Sequence, residues 1–193
     1  MPEPIQLAIV LGSVTPPGRL HRAVTEAIDR LTSRTEARPQ LVDLATRRIA
    51  FADGRPIDAL GDDTAAVVQA IERADGVLLA TPVYRGSLTG SLKNLLDQVP
   101  VPALRDTPVA IVAMGGSDHH YLGAERHLRD VLSFFGAHPL PTAVYLASRD
   151  FSDGVPGERA ASELDALLDA LVALARALGN APPLGPAPLA AKF

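Results

Sequence analysis

Short uninterrupted apolar runs, separated by longer amphipathic stretches, constrain this chain more than anything else in it. Ile5–Leu11 is such a run, ending at Gly12, and Arg19–Leu31 then follows a helical pattern. Leu41–Leu44 is a weaker strand that starts a few residues earlier. Asp63–Ala74 places Ala66, Val67, Ala70 and Ile71 on one helical face, with Asp62 or Asp63 as N-cap. Gly76–Thr81 and Val109–Met114 are buried strands, each followed by a helix, over Leu88–Gln98 and Tyr121–Phe135. Ala143–Ala147 is the last strand and Glu158–Leu178 the last helix, with Leu164, Leu167, Leu168 and Leu171 along its stripe. Continuous apolar strands alternating with helices imply a parallel sheet covered on both faces. Right-handed crossovers then leave a three-layer α/β sandwich, a five-stranded parallel sheet of order 2-1-3-4-5, as the simplest solution.

Composition narrows the function classes. At 193 residues, with 47% hydrophobic content, the chain forms one well-buried domain over residues 1–179 and shows no internal repeat. The tail Asn180–Phe193 carries Pro182, Pro183, Pro186 and Pro188, so it is no regular helix; it is expected to be disordered or to pack on a neighbouring subunit. Cysteine is absent, which removes disulfides, thiolate nucleophiles and cysteine-held metal or iron–sulfur sites. A net charge of −4 has the wrong sign for a dedicated nucleic-acid binder. No run is long enough to span a membrane, and the start lacks a signal-peptide pattern, so a cytoplasmic location is expected.

In such a sheet, ligands bind beyond the carboxyl ends of the strands, where strand order reverses. Three loops meet there. The first, Gly12 to His21, joins a strand to a helix N-terminus, where free N–H groups, Ser13, Thr15 and Arg19 together suit an anion. It is neither a P-loop nor Gly-x-Gly-x-x-Gly: five residues separate Gly12 from Gly18, and Val14 stands where a second glycine would be needed. The second runs through Thr81-Pro82-Val83-Tyr84-Arg85-Gly86-Ser87; its tyrosine offers a flat apolar face at the sheet's rim, and its glycine admits a large neighbour. Lys93 and Asp97 follow, four apart on one helix face, able to pair with each other or across a subunit boundary. The third, Met114-Gly115-Gly116-Ser117-Asp118-His119-His120, lets backbone approach a planar ligand without Cβ interference. His119 and His120 are adjacent and would diverge on a helix, which argues against a metal site.

With these loops in view, the sequence resembles the NAD(P)H-dependent FMN reductases of the flavodoxin-like superfamily. It is most similar to those that feed reduced flavin to two-component monooxygenases, such as the alkanesulfonate system. Ala80-Thr81-Pro82-Val83-Tyr84, with Ser87, Gly90, Lys93-Asn94 and Leu96-Asp97, carries the resemblance, supported by Leu11-Gly12-Ser13 and Gly115-Gly116-Ser117. The resemblance implies FMN with NADPH or NADH as cofactors. It implies a phosphate loop at Ser13, Thr15, Arg19, Leu20 and His21, a ring-facing loop at Pro82, Val83, Tyr84 and Arg85, and a ring-edge loop at Gly115, Gly116 and Ser117. Two departures stand out: Thr15 where the family usually has Arg, and Leu20-His21 where it often has a Ser or Asn pair. An inserted aromatic of the alkanesulfonate-type members falls at Arg126, next to His127.

The implied reaction is hydride transfer between stacked rings, with no side-chain acid or base, no covalent intermediate and no metal. Backbone N–H groups of Pro82–Arg85 and of Gly115-Gly116 would stabilise the negative charge of reduced flavin, and Arg85 would meet a pyridine-nucleotide phosphate. A homodimer or homotetramer through the helix bearing Lys93 and Asp97, and a flavin-dependent monooxygenase as partner, are further expectations. The rivals are a tight FMN-bound quinone, azo or metal-oxyanion reductase, a flavodoxin-type carrier and a non-flavin binding module. The mild charge of −4 counts against the carrier.

Overall fold

The structure, a computed structural model, describes residues 3–15, 17–179 and 181–188. Chain order is β1 (Gln6–Leu11), α1 (Arg19–Arg34), β2 (Arg38–Asp43), α2 (Thr64–Glu72), β3 (Gly76–Pro82), α3 (Gly90–Leu96), the short α4 (Val101–Leu104), β4 (Pro108–Met114) and α5 (Gly123–Phe135). There follow β5 (His138–Pro139), β6 (Val144–Leu146), the small hairpin β7 (Phe151–Ser152) and β8 (Val155–Pro156), and α6 (Glu158–Leu178). The main sheet is parallel in the order β2-β1-β3-β4-β5, with β6 also pairing β4. This is the expected flavodoxin-like order, with one change: the fifth strand comes in two pieces. Pro141 interrupts it, and Arg129 on α5 donates to the carbonyls of Leu140 and Pro141 (2.7 and 2.9 Å), satisfying the backbone that the break releases from pairing.

Alternation along the strands divides the core between the two faces of the sheet. Leu7, Ile9, Leu78, Ala110 and Val112 pack under α1 and α6, while Ala8, Val10, Val77, Leu79 and Ile111 pack under α2, α3 and α5. Leu164, Leu168 and Leu171 give α6 its buried stripe, and truncating Leu171 to Ala would cost about 3 kcal/mol. Arg30 to Asp165 (2.9 Å) and Arg34 to Asp169 (2.9 Å) lace α1 to α6 along their outer edges.

Two expected helix starts shift, and a third is capped differently from its position. Thr89, not Leu88, opens α3: its hydroxyl accepts the Leu92 N–H (3.2 Å), so the helix starts at Gly90. A 3-10 turn over Asp118–His120 delays α5 to Gly123. At α2 the N-cap position is Asp63, but its carboxylate accepts from Arg48 N–H (2.8 Å); Asp62 accepts instead from Thr64 N–H (2.9 Å) and Ala50 N–H (2.6 Å). Beyond α6, Pro188 comes against Gly136 at the end of α5. The expectations for Asn180 and residues 189–193 lie outside the described residues. Among the described residues no helix is long and apolar enough to cross a membrane.

Candidate functional site

At the carboxyl ends of β1, β3 and β4 the three loops enclose a cavity of about 260 Å³. Ser13, Thr15, Arg19, Leu20 and His21 form one wall. Pro82, Val83, Tyr84, Gly115 and Gly116 form the other, with Leu11 and Met114 between them. Arg85 and Ser117 do not reach it.

The first wall is lightly held. Gly12 ties its base: the N–H donates to Ala80 O (2.7 Å), and the carbonyl accepts from the hydroxyls of Thr89 (2.5 Å) and Ser91 (3.0 Å). Beyond that point the contacts are Ser13 Oγ to Thr15 Oγ1 (2.8 Å) and Thr15 N–H to Ser13 Oγ (3.4 Å). No side chain caps α1 at Gly18, and its first turn carries no carboxylate, so its N–H groups open toward the cavity with their partial positive charge. The Arg19 guanidinium lies over the Phe151 ring, 5.4 Å from its centroid.

The second wall is braced throughout. Buried Thr81 accepts the Thr89 N–H (3.1 Å), closing the loop that carries Tyr84. Pairing continues past Pro82, since Val83 N–H donates to Met114 O (2.8 Å). Tyr84 and Ser87 exchange both backbone hydrogen bonds (2.9 and 3.0 Å) around Arg85 and Gly86, both at positive φ (54° and 77°). That is a two-residue hairpin turn, which glycine takes freely and arginine at a cost of about 1 kcal/mol. Arg85 therefore stands exposed at the turn's tip, away from the cavity. His127 Nδ1 meets Ser87 Oγ at 2.7 Å, and Gly86 O lies so close to Gly123 that a Cβ there would collide with it.

Tyr145 donates its hydroxyl to Ser117 O (2.6 Å) and fills the space that a side chain on Gly115 would need. Burial pushes that hydroxyl above its ordinary range, keeping it protonated and a donor. Farther out, Arg149 bridges Asp118 and Asp150, and Asp150 also holds Arg159 and the Ala147 N–H (2.7 Å). Burial alone would raise Asp150, but the Ala147 N–H and the Arg159 guanidinium outweigh it and hold the carboxyl below its usual value.

This bracing corrects the expected charge-stabilising donors. Val83 N–H and Tyr84 N–H are bonded within the loop, and Gly115 N–H donates to Leu146 O (2.9 Å). Gly116 N–H and Arg85 N–H remain without a partner among the described residues. Ser117 turns its hydroxyl to His119 Nδ1 (3.2 Å). His119, His120 and Arg126 are exposed, and Lys93 pairs with Asp97 one turn along α3 (2.5 Å).

Sequence reasoning missed Asp43. Its carboxylate enters the first wall because β2 runs parallel to β1 with Asp43 opposite Leu11, a register visible only once the strands are paired. Thr89 and Tyr145 were missed because each acts on a segment distant in sequence, Gly12 and Ser117 respectively.

A model of the NADPH-dependent FMN reductase family matches residues 5–151. The chain is 35% identical over 153 residues to an NADH-dependent FMN reductase, SfnF, of Pseudomonas fluorescens (strain Pf0-1), covering 79% of this chain and 82% of that one. To an NAD(P)H-dependent FAD/FMN reductase of Geobacillus thermodenitrificans (strain NG80-2) it is 39% identical over 114 residues, 59% of this chain and 62% of the relative. The fold superposes on an NADH:FMN oxidoreductase (EMOB, apo form) with a TM-score of 0.74 at 24% identity, over 92% of both chains. A family match across three quarters of the chain, together with the SfnF identity, establishes that the chain belongs to the NADPH-dependent FMN reductase family.

Proposed function

We propose that the cavity holds FMN with its phosphate at the α1 wall and its ring against the Tyr84 wall, and that the chain carries out NAD(P)H-dependent reduction of that flavin. The observation that carries this is the division of the cavity: an uncapped helix start with two hydroxyls on one side, and apolar Pro82, Val83 and Tyr84 beside side-chain-free Gly115-Gly116 on the other. A cavity slightly below the usual range of about 300–1,000 Å³ suits a ligand gripped at one end and open along one ring face. Bound there, FMN would supply the hydride acceptor, the chemistry belonging to the two rings.

The chain's own contribution is placement. Ser13 Oγ, Thr15 Oγ1 and the first N–H groups of α1 anchor the anionic end. Tyr84, 48% exposed, presents a face at the open side, where a nicotinamide must approach. Gly116 N–H is the donor at the cavity wall still free to meet charge that develops on the ring.

A second copy of the chain is the proposed cover for that open side. Phe51 (83% exposed) and Val14 flank Tyr84 over a second cavity of about 360 Å³, whose floor includes Gly90, Ser91 and Asn94 of α3. Lys93 and Asp97, both half-exposed on the same helix, would exchange their mutual pair for contacts across that boundary. Lys93→Glu is then expected to shift the sedimentation coefficient to that of a monomer; an unchanged coefficient removes α3 from the interface. Delivery of reduced flavin to a monooxygenase is proposed from the resemblance carried by Ala80–Tyr84, Ser87, Gly90, Lys93-Asn94 and Leu96-Asp97.

The direct test of the site is equilibrium titration of flavin-free protein with FMN and with riboflavin. FMN is expected to bind at one per chain and about a hundredfold more tightly, since riboflavin lacks the anion. Equal affinity would take the phosphate away from α1, and binding of neither would remove flavin from the cavity.

A further inference from the structure

Asp43 is an unexpected group beside an anion site. Its Oδ1 accepts the Ala45 N–H (2.9 Å), and its Oδ2 faces His21 Nε2 at 3.7 Å. The side chain is 13% exposed, and among the described residues no Lys or Arg nitrogen lies within ion-pair reach of it. From these contacts we propose that FMN binding by this chain is coupled to proton uptake by His21, whose charged form offsets Asp43 and receives the flavin phosphate. The inference rests on the flavin reading above and adds to it the charge state of the phosphate end.

The argument is one of charge balance. Four ionisable side chains line the cavity among the described residues: Arg19 and His21 from α1, Asp43 from β2 and Tyr84 from the hairpin turn. A phosphate monoester brings up to two negative charges at neutral pH and above. With Asp43 that makes three, within a wall whose fixed positive charge is Arg19 plus about half a charge from the α1 terminus. Arg19 is also held against Phe151, which limits how far it can swing to cover both anions. Protonating His21, 30% exposed and on the first turn of α1, adds the missing charge between the carboxylate and the helix start. Thr15, the other side chain of this wall beside Ser13, carries no charge of its own.

The sign follows from linkage. A group that binding drives toward its protonated form makes affinity highest at low pH and weaker as pH rises, by at most tenfold per unit for one proton. Riboflavin has no phosphate and shows no such slope.

The experiment is calorimetric titration of the flavin-free full chain with FMN at pH 7.0 to 8.5, where the phosphate is already dianionic, in two buffers of different ionisation enthalpy. Uptake approaching one proton is expected for FMN and none for riboflavin. His21→Gln should abolish the uptake and weaken FMN about tenfold at pH 7, with riboflavin affinity unchanged as the check that the site is intact. Asp43→Asn should strengthen FMN at pH 8.5 and flatten the slope, while Arg19→Gln should weaken FMN and keep the slope. FMN binding without proton uptake overturns this proposal and leaves the flavin site standing. Uptake that persists in His21→Gln, or that riboflavin shares, overturns it as well. A chain that binds neither flavin overturns both readings together.

Discussion

The two walls of the cavity differ in how they are held. On the Tyr84 side, backbone and side chains are tied at several points: Val83 N–H to β4, Tyr84 to Ser87 through both backbone bonds, the Ser87 hydroxyl to His127, and the Ser117 carbonyl to Tyr145. On the α1 side, past Gly12, two contacts among Ser13 and Thr15 stand beside an uncapped helix and a single His21–Asp43 approach. The difference fits what the proposed flavin would ask of each side. A flat ring is recognised by shape, which requires a wall that does not move. A phosphate is recognised by charge and free donors, which requires groups left without partners until it arrives. Changes to the braced wall should therefore register first in stability or geometry, and changes to the open wall in affinity and its pH dependence.

Gly123→Ala should break the braced wall most severely. Its Cβ would meet the Gly86 carbonyl, which is backbone and cannot turn aside, so about 3 kcal/mol of overpacking is expected. That cost should appear as a lower urea midpoint, as displacement of the Tyr84 hairpin with loss of FMN binding, or as both; a variant normal in each would show that the turn does not rest on α5. Next is Asp150→Ala, which leaves the Ala147 N–H and Arg159 without their acceptor and should cost about 2 kcal/mol, because Arg159 is half-exposed and part of the pair is screened. Since the Asp150 carboxyl is held below its usual value of 3.8, its contribution is present above that pH and lost as pH falls below it. Wild type and Asp150→Asn should then converge in stability in acid; a constant gap down to pH 2 would contradict the assignment.

Smaller effects separate shape from stability. Tyr84→Ala should weaken FMN about tenfold, or ~1.5 kcal/mol of lost aromatic contact, at an unchanged unfolding temperature. Unchanged affinity would take Tyr84 out of the site. Tyr145→Phe removes one hydrogen bond to Ser117 O, ~1 kcal/mol, and should weaken FMN about fivefold if that bond shapes the ring-edge loop. Weakened riboflavin binding to the same degree would confirm that the loss lies at the ring, whereas a drop confined to FMN would place it at the phosphate.

Much of this was legible in the sequence, because strands buried on both faces leave continuous apolar runs and βα connections admit few arrangements. The bounds read for α6, Glu158 and Leu178, are those of the structure, and its stripe of Leu164, Leu167, Leu168 and Leu171 is buried. The split of the last strand could not be read, because it depends on Arg129 reaching eleven and twelve residues forward to hold two carbonyls. The three loops were visible through their glycines and hydroxyls, and Ser13, Thr15, Arg19, Leu20 and His21 line the cavity. Arg85 and Ser117 do not, one turned out by a left-handed backbone and the other held by Tyr145 and His119. Asp43, the one carboxylate lining the cavity among the described residues, carries no local signal at all; strand register alone brings it there.

The central claim is that this cavity binds FMN for reduction by a pyridine nucleotide. The most direct test is steady-state NADPH and NADH oxidation by purified, flavin-stripped protein, with and without added FMN. Oxidation that depends on FMN and saturates with it is the predicted result. Absence of oxidation at any FMN concentration, in protein shown to be folded, would contradict the account.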